Sequence, residues 1–261
     1  MLRLLAGELA AAGSSVIVTT TTAMLFDELA AVGPVVLHTG GRLLADGLRA
    51  ALAARGVAAA AAAVGVGGKV IGLSPEVVDG LWKGDVGIVA DYVIVEADGS
   101  RGKPLKAFGP REPQAPSEAT LIVQVAGLDA IAAPLDEEHV HRARVAAEIL
   151  GVPLGTDVTP GLFAECLRLQ LEFLARYRPS ARLVTMLNKA DGPDEQELGL
   201  RVAADLLGTL GDGHDCSPPR DRSAPADRLP PRDRLAPEAA VVASLRERRF
   251  VRLSSGEGAP W

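Results

Sequence analysis

The chain has 261 residues, of which 48% are apolar and 3% aromatic, and its formal net charge is −6. The acidic balance and the few aromatic side chains argue against a nucleic-acid-binding protein, which needs a basic surface and stacking platforms. No stretch of about 18 apolar residues predicts a membrane span, and no cleavage region follows the N-terminal apolar run. We therefore expect a soluble, cytoplasmic protein whose partners are neither nucleic acid nor membrane.

Apolar, strand-like runs alternate with helix-like stretches along most of the chain. In chain order, the strand-like runs are SVIVT, VVLH, YVIVEAD, TLIVQVAG and RLVTMLN. The helix-like stretches are MLRLLAGELAAAG, RLLADGLRAALAARG, SPEVVDGLW, EEHVHRARVAAEILG and TPGLFAECLRLQLEFLARY. This alternation predicts an α/β fold with a mostly parallel sheet covered on both faces. Ligands of such sheets bind beyond the carboxyl ends of the strands, so the residues after each run are the candidates.

The composition changes near the C-terminus and suggests three segments. We assign residues 1–210 to the α/β domain. Residues 211–237 are rich in Pro, Arg and Asp and predict a disordered linker, or alternatively a proline-rich docking segment. Residues 238–261 are expected to form a short helix and a strand, RFVRL.

The stretch VIVEADGSRGKP ends a buried strand in charged residues. Glu96, Asp98 and Gly99 give the spacing acid-x-x-Gly, in which the first carboxylate holds Mg²⁺ and the glycine N–H faces a terminal phosphate. Asp98 is placed to orient water or a substrate hydroxyl. Donors suited to a substrate anion follow at Ser100, Arg101, Lys103 and Lys106. The alternative is a polar surface turn in which the acids and bases pair with each other.

Four consecutive threonines follow the strand SVIV. Thr19, Thr20, Thr21 and Thr22 place hydroxyls and backbone N–H groups at the carboxyl edge, where a nucleotide phosphate or Mg²⁺ would be met. Threonine also favours strands for its shape alone, so the same run is compatible with a purely structural role.

The turn NKAD follows the strand RLVTMLN. Asn188, Lys189 and Asp191 match the Asn-Lys-x-Asp pattern in which the aspartate reads guanine, the lysine stem packs on the base and the asparagine ties loops together. The alternative is a structural turn. The pattern does not decide between ATP and GTP.

Two further basic motifs are weaker. His141 and Arg142 lie at the expected start of a helix, where they would approach an anion or simply face solvent. Lys69 follows two glycines, but no Ser or Thr follows it and no helix is predicted there, so it does not form a Walker-type phosphate loop.

Five stretches, in this order, resemble the YqeC family: VTTTT, GGKVIGLSPEVVDGLW, VEADGSRGKPLKAFGPREPQAP, VAGLDAIAAPLDEEHVHR and LNKAD. The resemblance spans roughly Met1 to Asp191. It implies a three-layer fold like that of P-loop NTPases, and an accessory role in selenium cofactor biosynthesis or the maturation of selenium-dependent molybdenum hydroxylases. The end of VEADG is also similar to the acidic strand end of dethiobiotin synthetase-like ATPases, which supports Glu96 as the metal residue.

The sequence departs from that family at its beginning. Members of the family that this sequence resembles start with a strand and a GGKT-type loop that leads into a helix. This sequence begins within what looks like that helix. We expect Met1 to be an internal methionine of a longer protein, preceded by about 20 residues that form the strand and a loop ending in Lys-Thr or Lys-Ser. The alternative is a truncated, non-hydrolysing protein.

Two functions from different classes follow. The first is a Mg²⁺-dependent NTPase or switch, with ATP or GTP between the threonine edge and Glu96. The second is a non-catalytic protein that docks on a molybdenum hydroxylase or its cofactor carrier. Without a phosphate-loop lysine, each lost charge-assisted hydrogen bond costs about 1.5 to 3 kcal/mol, so we expect the sequence as written to bind nucleotide weakly.

Overall fold

The structure is a computed structural model that describes residues 1–38, 41–208 and 237–254, apart from the side chains of residues 41–43. Contacts divide the chain into two compact units, Met1–Gly99 with Pro110–Ala119 and Ser100–Gly109 with Thr120–Trp261. Residues 1–210, which the composition groups in one domain, are thus divided between the two units. The linker predicted at 211–237 lies outside the described residues except for its last residue.

The first unit combines a parallel sheet, a small antiparallel sheet and helices. Its helices are α1 Leu2–Ala11, α2 Phe26–Ala30, α3 Gly41–Arg55 and α4 Pro75–Lys83. Its strands are β1 Val16–Thr20, β2 Ala23–Leu25, β3 Val35–Leu37, β4 Val57–Ala61, β5 Ala63–Val64, β6 Lys69–Ile71 and β7 Tyr92–Glu96. The predicted helices and apolar strands of this region are confirmed.

The parallel sheet of the first unit has the order β3-β4-β1-β7, so β1 has a partner on each side. Every residue of β1 and β4 is buried, as expected for strands covered on both faces. At the amino ends, the backbone N–H and the hydroxyl of Ser15 donate to Asp91 Oδ2 at 2.8 and 2.7 Å. At the carboxyl ends, Thr20 is the register partner of Glu96. Side-chain contacts therefore fix the register of β1 against β7 at both ends.

The small antiparallel sheet has the order β2-β6-β5. Lys69, which follows two glycines, is the first residue of β6 and pairs with Leu25. A phosphate-loop lysine would instead lead into a helix. The rejection of a Walker-type loop at this position is confirmed.

Two helices begin as their sequences predict. The Ser74 hydroxyl accepts from the Val77 N–H at 3.4 Å, and Pro75 occupies the first turn of α4. In the second unit, the Thr159 hydroxyl accepts from the Leu162 N–H at 3.2 Å ahead of a helix that starts with proline. Each cap satisfies an N–H group that the first helical turn leaves without a partner.

The second unit is built around a mixed sheet. Its helices are α5 Ala143–Leu150, α6 Pro160–Tyr177 and α7 Pro193–Leu206. Its strands are β8 Leu105–Lys106, β9 Leu121–Gly127, β10 Val140–His141, β11 Arg182–Asn188, β12 Ala239–Ser244 and β13 Arg249–Ser254. The larger sheet has the order β13-β12-β11-β9, in which β9, β11 and β12 are parallel and β13 is antiparallel.

Two secondary-structure predictions in the second unit are wrong. The segment from Ala239 forms a buried strand that pairs with β11, whereas we expected a helix. The helix expected from Glu137 begins at Ala143, because Val140 and His141 form strand β10 beside β8. Arg142 has φ 61° and ψ 50°, and this left-handed conformation separates the strand from the helix. The strand predicted for RFVRL is confirmed as β13.

A buried polar network links four elements of the second unit. The Gln124 side chain donates to Gln170 Oε1 at 3.1 Å and accepts from the Thr185 hydroxyl at 2.9 Å. Gln170 in turn donates to the backbone oxygen of Lys106 at 2.7 Å. The network connects β9, β11 and α6 to β8, so it fixes the position of Lys106.

No helix among the described residues is long and apolar enough to cross a membrane.

Gly72 lies against the backbone of the threonine run. A Cβ at this position would lie 2.5 Å from the Thr20 carbonyl oxygen and 2.6 Å from that of Thr22. The next residue, Leu73, donates its N–H to the Thr20 oxygen at 2.8 Å. Only glycine allows this close approach.

Gly72→Ala should therefore destabilise the protein by about 3 kcal/mol, because backbone atoms on both sides have to move. Gly7→Ala is the matched control: Gly7 lies within α1, and a Cβ there would meet nothing within 4 Å, so alanine should stabilise by about 0.5 to 1 kcal/mol. Urea unfolding of both variants measures these changes. Equal stability of Gly72→Ala and wild type would contradict the close approach.

Candidate functional site at the carboxyl ends of β1 and β7

The carboxyl ends of β1 and β7 bring two predicted residues together. The Thr20 hydroxyl lies 3.0 Å from the Glu96 carbonyl oxygen and 3.3 Å from Glu96 Oε2. The Thr21 N–H also donates to the Glu96 carbonyl oxygen, at 3.0 Å. Thr20 is fully buried and Glu96 is half-buried. A carboxylate and a hydroxyl are thereby held side by side at the edge where parallel sheets bind ligands.

The four threonines have different surroundings. Thr19 donates to the Ala60 carbonyl oxygen at 2.8 Å, inside the sheet, and Thr21 donates to the Gln114 carbonyl oxygen at 2.7 Å. The hydroxyls of Thr20 and Thr22 lie 3.2 Å apart. The contacts of Thr19 and Thr21 tie together parts of the fold, whereas Thr20 contacts the carboxylate and Thr22 contacts the Thr20 hydroxyl.

The chain after Glu96 leaves the sheet and stays close to the carboxylate. A Cβ at position 99 would lie 3.7 Å from Glu96 Oε1, so Gly99 faces the same carboxylate that Thr20 contacts. Between them, the Ala97 carbonyl oxygen accepts from the Gln114 N–H at 3.0 Å. Asp98 is half-buried and lies beyond the end of β7.

Gln114 lies in a segment that contributes to this site, and nothing in the sequence indicates that contribution. Residues 110–119 return to the first unit, where Gln114 contacts both the threonine run and the chain after Glu96. The contacts are made by backbone atoms of Gln114, so its side-chain type gives no indication of them. From sequence, this segment is recognisable only as part of a longer stretch that resembles the family.

Asp79 holds the same segment against α4. Its carboxylate accepts from the Ser117 N–H at 3.0 Å, the Ser117 hydroxyl at 2.6 Å and the Glu118 N–H at 2.9 Å. Burial raises the pKa of Asp79, but the three hydrogen bonds outweigh it and the pKa lies below its ordinary value. The sequence indicates this role of Asp79 in one way only: an acidic residue stands next to the apolar Val78, which is buried on the inner face of α4.

The donors at this edge suit Mg²⁺ carried by a phosphate ligand. Mg²⁺ in proteins is commonly held by one or two carboxylates together with water and substrate phosphates. Glu96 provides a carboxylate, and the hydroxyls of Thr20 and Thr22 provide further hard oxygen atoms. In the described parts of the chain, no three His, Cys, Asp or Glu side chains form a metal-binding group. Glu96, Thr20 and Thr22 are the residues at this edge that could contribute oxygen ligands to Mg²⁺.

The residues predicted to bind a substrate anion lie in the second unit, and several already contact protein groups. Lys103 Nζ donates to the Glu138 carbonyl oxygen at 2.6 Å. Arg142 Nη1 donates to the Ala107 carbonyl oxygen at 3.3 Å, and its guanidinium lies on Gly109, where a Cβ would be 3.0 Å from Cζ. The side chains of Lys103 and Arg142 thus tie neighbouring segments of this unit together.

The other residues predicted to bind a substrate anion differ in how exposed they are to solvent. Lys106 and His141 are register partners in β8 and β10, and they are 8% and 9% exposed. Arg101 is exposed and has φ 57°, and Ser100 is half-buried and accepts the Lys103 N–H through its carbonyl oxygen at 3.2 Å. Their burial places Lys106 and His141 inside the second unit, which the basic run RGKPLK does not indicate.

The NKAD turn follows β11 and contacts the β12–β13 hairpin. Asn188 Oδ1 accepts from the Leu245 N–H at 3.4 Å, and Asp191 Oδ1 accepts from the Ser244 hydroxyl at 2.6 Å. Lys189 has φ 66° and forms an ion pair with Asp129. The asparagine side chain therefore joins two loops at the carboxyl end of the sheet, and the exposed aspartate lies beside it.

These observations define an α/β protein with mostly parallel sheets and a carboxylate–hydroxyl pair at a sheet edge. Residues 1–144, more than half of the chain, match the model of the family described as YqeC protein, so the chain belongs to the YqeC family. A similar protein from Escherichia coli (strain K12), described as "Uncharacterized protein YqeC", is 39% identical over 85 residues. The match covers 33% of this chain and 32% of that protein, about a third of its length. No solved structure matches the chain.

The Asp79 contacts predict a pH dependence of stability. Because the pKa of Asp79 in the folded protein is lower than its unfolded value of about 3.9, its contribution is complete above that value and is lost as the pH falls through the folded pKa. Asp79→Asn should be about 1 to 3 kcal/mol less stable than wild type at pH 7, and the difference should shrink in acid. Urea unfolding at a series of pH values, followed by tryptophan fluorescence, measures both.

Asp46→Asn is the control, because the Asp46 side chain is 58% exposed in a surface ion pair. The free energy of unfolding of Asp46→Asn should differ little from that of wild type at every pH. A difference for Asp79→Asn that stayed constant down to pH 3 would show that its carboxylate charge is not what holds residues 117 and 118.

Proposed function

We propose that the protein is a nucleotide-dependent accessory protein of selenium cofactor biosynthesis, acting in the cytoplasm in the maturation of selenium-dependent molybdenum hydroxylases. The pathway and the P-loop NTPase-like architecture rest on the family resemblance of the five stretches from VTTTT to LNKAD, and the nucleotide role also rests on the residues at the edge of the first unit. The partner would be a molybdenum hydroxylase or a carrier of its cofactor.

The observation that carries the nucleotide role is the contact between Glu96 and Thr20 at the carboxyl ends of adjacent parallel strands. The Glu96 carboxylate would hold Mg²⁺, and the Thr20 hydroxyl, 3.3 Å away, keeps the carboxylate at the edge. When bound, Mg²⁺ would neutralise part of the negative charge of the nucleotide phosphates. The Gly99 N–H would face the terminal phosphate, and Asp98 would orient water for hydrolysis.

Recognition of a guanine base by the NKAD turn is a separate proposal, made for the second unit by itself. In this proposal Asp191 accepts from the ring N–H and amine of guanine, and the Lys189 stem packs on the base. The contact of Asn188 with the Leu245 N–H supports the loop-joining part of this pattern. The pattern favours GTP, and ATP is the alternative that nucleotide titrations distinguish.

Glu96→Gln should abolish most Mg²⁺-dependent nucleotide binding and leave the fold intact, because a neutral amide is a poor ligand for a hard cation. We expect binding at least about tenfold weaker than that of wild type, measured by calorimetric titration with ATP and with GTP, each with and without Mg²⁺. The sequence contains no GxxxxGK[S/T] loop, so the titrations require high nucleotide concentrations.

Glu28→Gln is the matched control, since Glu28 is an exposed carboxylate in α2 of the same unit. It should bind nucleotide as wild type does. Metal dependence that persists in Glu96→Gln would remove Glu96 from the site. Wild-type protein that binds neither nucleotide would instead favour the non-catalytic docking function.

Asp191→Ala should weaken GTP binding by about tenfold and ATP binding much less, because only guanine presents the two donors that the carboxylate accepts. Asp194→Ala, which changes an exposed aspartate in the first turn of α7, serves as the control. Competition between labelled GTP and unlabelled ATP measures the ratio of the two affinities in each variant. Equal losses for both nucleotides would leave NKAD a structural turn.

A further inference from the structure

A cavity of about 360 Å³ lies in the second unit beside the NKAD turn. Pockets of roughly 300 to 1,000 Å³ are the usual size for small-molecule sites, so this one suits a compact ligand. Helix α7 and the hairpin of β12 and β13 contribute side chains to it. The main lining residues are Gln196, Leu200, Val242, Ser244, Arg249 and Val251.

The cavity results from how α7 packs on the hairpin. Gly199 brings the helix close to β12, since a Cβ there would lie 2.7 Å from Val242 Cγ1. Strand β13 is the outer strand, and most of its residues are exposed, including Val251 at 47%. Val251 and Val242 are register partners and share a face of the sheet. An apolar floor therefore continues from beneath the helix to the open edge.

Arg249 supplies the polar end of this cavity. Its Nη2 donates to the Asp191 carbonyl oxygen at 2.7 Å. With its oxygen turned toward the guanidinium, the Gln196 amide accepts from Nη1 at 3.0 Å and from Nη2 at 3.1 Å. Both acceptors are neutral. Within the part of the chain that the structure describes, no ion pair includes Arg249. Its guanidinium is thus fixed in place with its charge not matched by a contacting carboxylate.

We propose that this cavity binds a small molecule with a compact apolar body and one oxyanion, either a carboxylate or a phosphate. The bonds to Asp191 and Gln196 use three of the five guanidinium N–H groups, so the Nε–H and one Nη1–H remain to donate charge-assisted hydrogen bonds to either oxyanion. Leu200, Val242 and Val251 provide apolar contacts for the body of the ligand. The lining residues all belong to the second unit, whereas Glu96 and Thr20 belong to the first, and the proposal does not depend on nucleotide binding.

Ligand-observed NMR with three probes tests the proposal on the full chain. Benzoate and phenyl phosphate carry the two oxyanions on the same ring, and benzyl alcohol is the neutral analogue. Wild type should bind benzoate or phenyl phosphate more tightly than benzyl alcohol, and the tighter of the two identifies the oxyanion. Arg249→Gln should weaken that probe by about tenfold, the value of one charge-assisted hydrogen bond.

Arg246→Gln is the control, because Arg246 lies in the same hairpin with its side chain 81% exposed. It should bind the probes as wild type does. Val251→Trp fills the apolar end and leaves Arg249 unchanged, so it should weaken both anionic probes. Circular dichroism verifies that each variant is folded. The proposal is overturned if wild type binds neither anion, if benzyl alcohol binds as tightly, or if Arg249→Gln binds like Arg246→Gln.

Discussion

The parallel pairing of β1 with β7 is the interaction on which the candidate site depends. Ser15 with Asp91 at one end, and Thr20 with Glu96 at the other, fix the same register. Side chains alternate between the two faces of a strand, so a shift by one residue would turn the buried residues of β1 to the opposite faces. The same shift would also separate the Glu96 carboxylate from the Thr20 hydroxyl. The apolar core and the polar edge therefore require one and the same register.

The edge is completed by a segment distant in sequence. Residues 110–119 approach the first unit through backbone contacts of Gln114 and through the three bonds that Asp79 accepts. Buried carboxylates are costly unless their oxygen atoms are fully hydrogen-bonded, and Asp79 meets that condition with donors from Ser117 and Glu118. Polar contacts therefore specify the position of residues 110–119. The position of β1 is specified both by polar contacts at its ends and by the burial of its apolar side chains.

The sequence predicted the elements whose patterns are local. The apolar runs of β1, β7, β9 and β11 indicated buried strands, and the Ser-Pro and Thr-Pro pairs indicated the starts of α4 and α6. Helices α2 and α7 were not predicted, and neither were strands β2, β4, β5, β6, β8 and β10. Apart from β4, these strands have two or three residues, which are too few to show a period, and β4 consists mostly of alanine, which does not favour strands. The prediction of a short helix between residue 238 and RFVRL was wrong, because that segment forms strand β12. A short apolar run rich in alanine is compatible with either structure until its pairing partner is known.

The candidate site was predictable to a similar degree. Glu96 and the threonine run were recognised because each directly follows a buried strand. The contacts of Asp79, Gln114 and the buried Lys106 depend on residues many positions away, and no local spacing encodes them. The basic residues of RGKPLK suggested a site for a substrate anion or, alternatively, a polar surface turn. The packing of β8 beside β10 instead buries one of them, because a two-residue strand is enclosed by the elements around it.

The return of residues 110–119 to the first unit makes that unit discontinuous along the chain. The polypeptide passes from one unit to the other after Gly99, again after Gly109 and again after Ala119. No single cut can divide the protein into two intact halves. A fragment that ended at Gly99 would keep β1, β7 and Glu96, yet the Asp79 carboxylate would lose the three donors that Ser117 and Glu118 provide. The ribosome reaches Glu96 before it reaches those donors, so the first unit cannot finish assembling until part of the second has been synthesised.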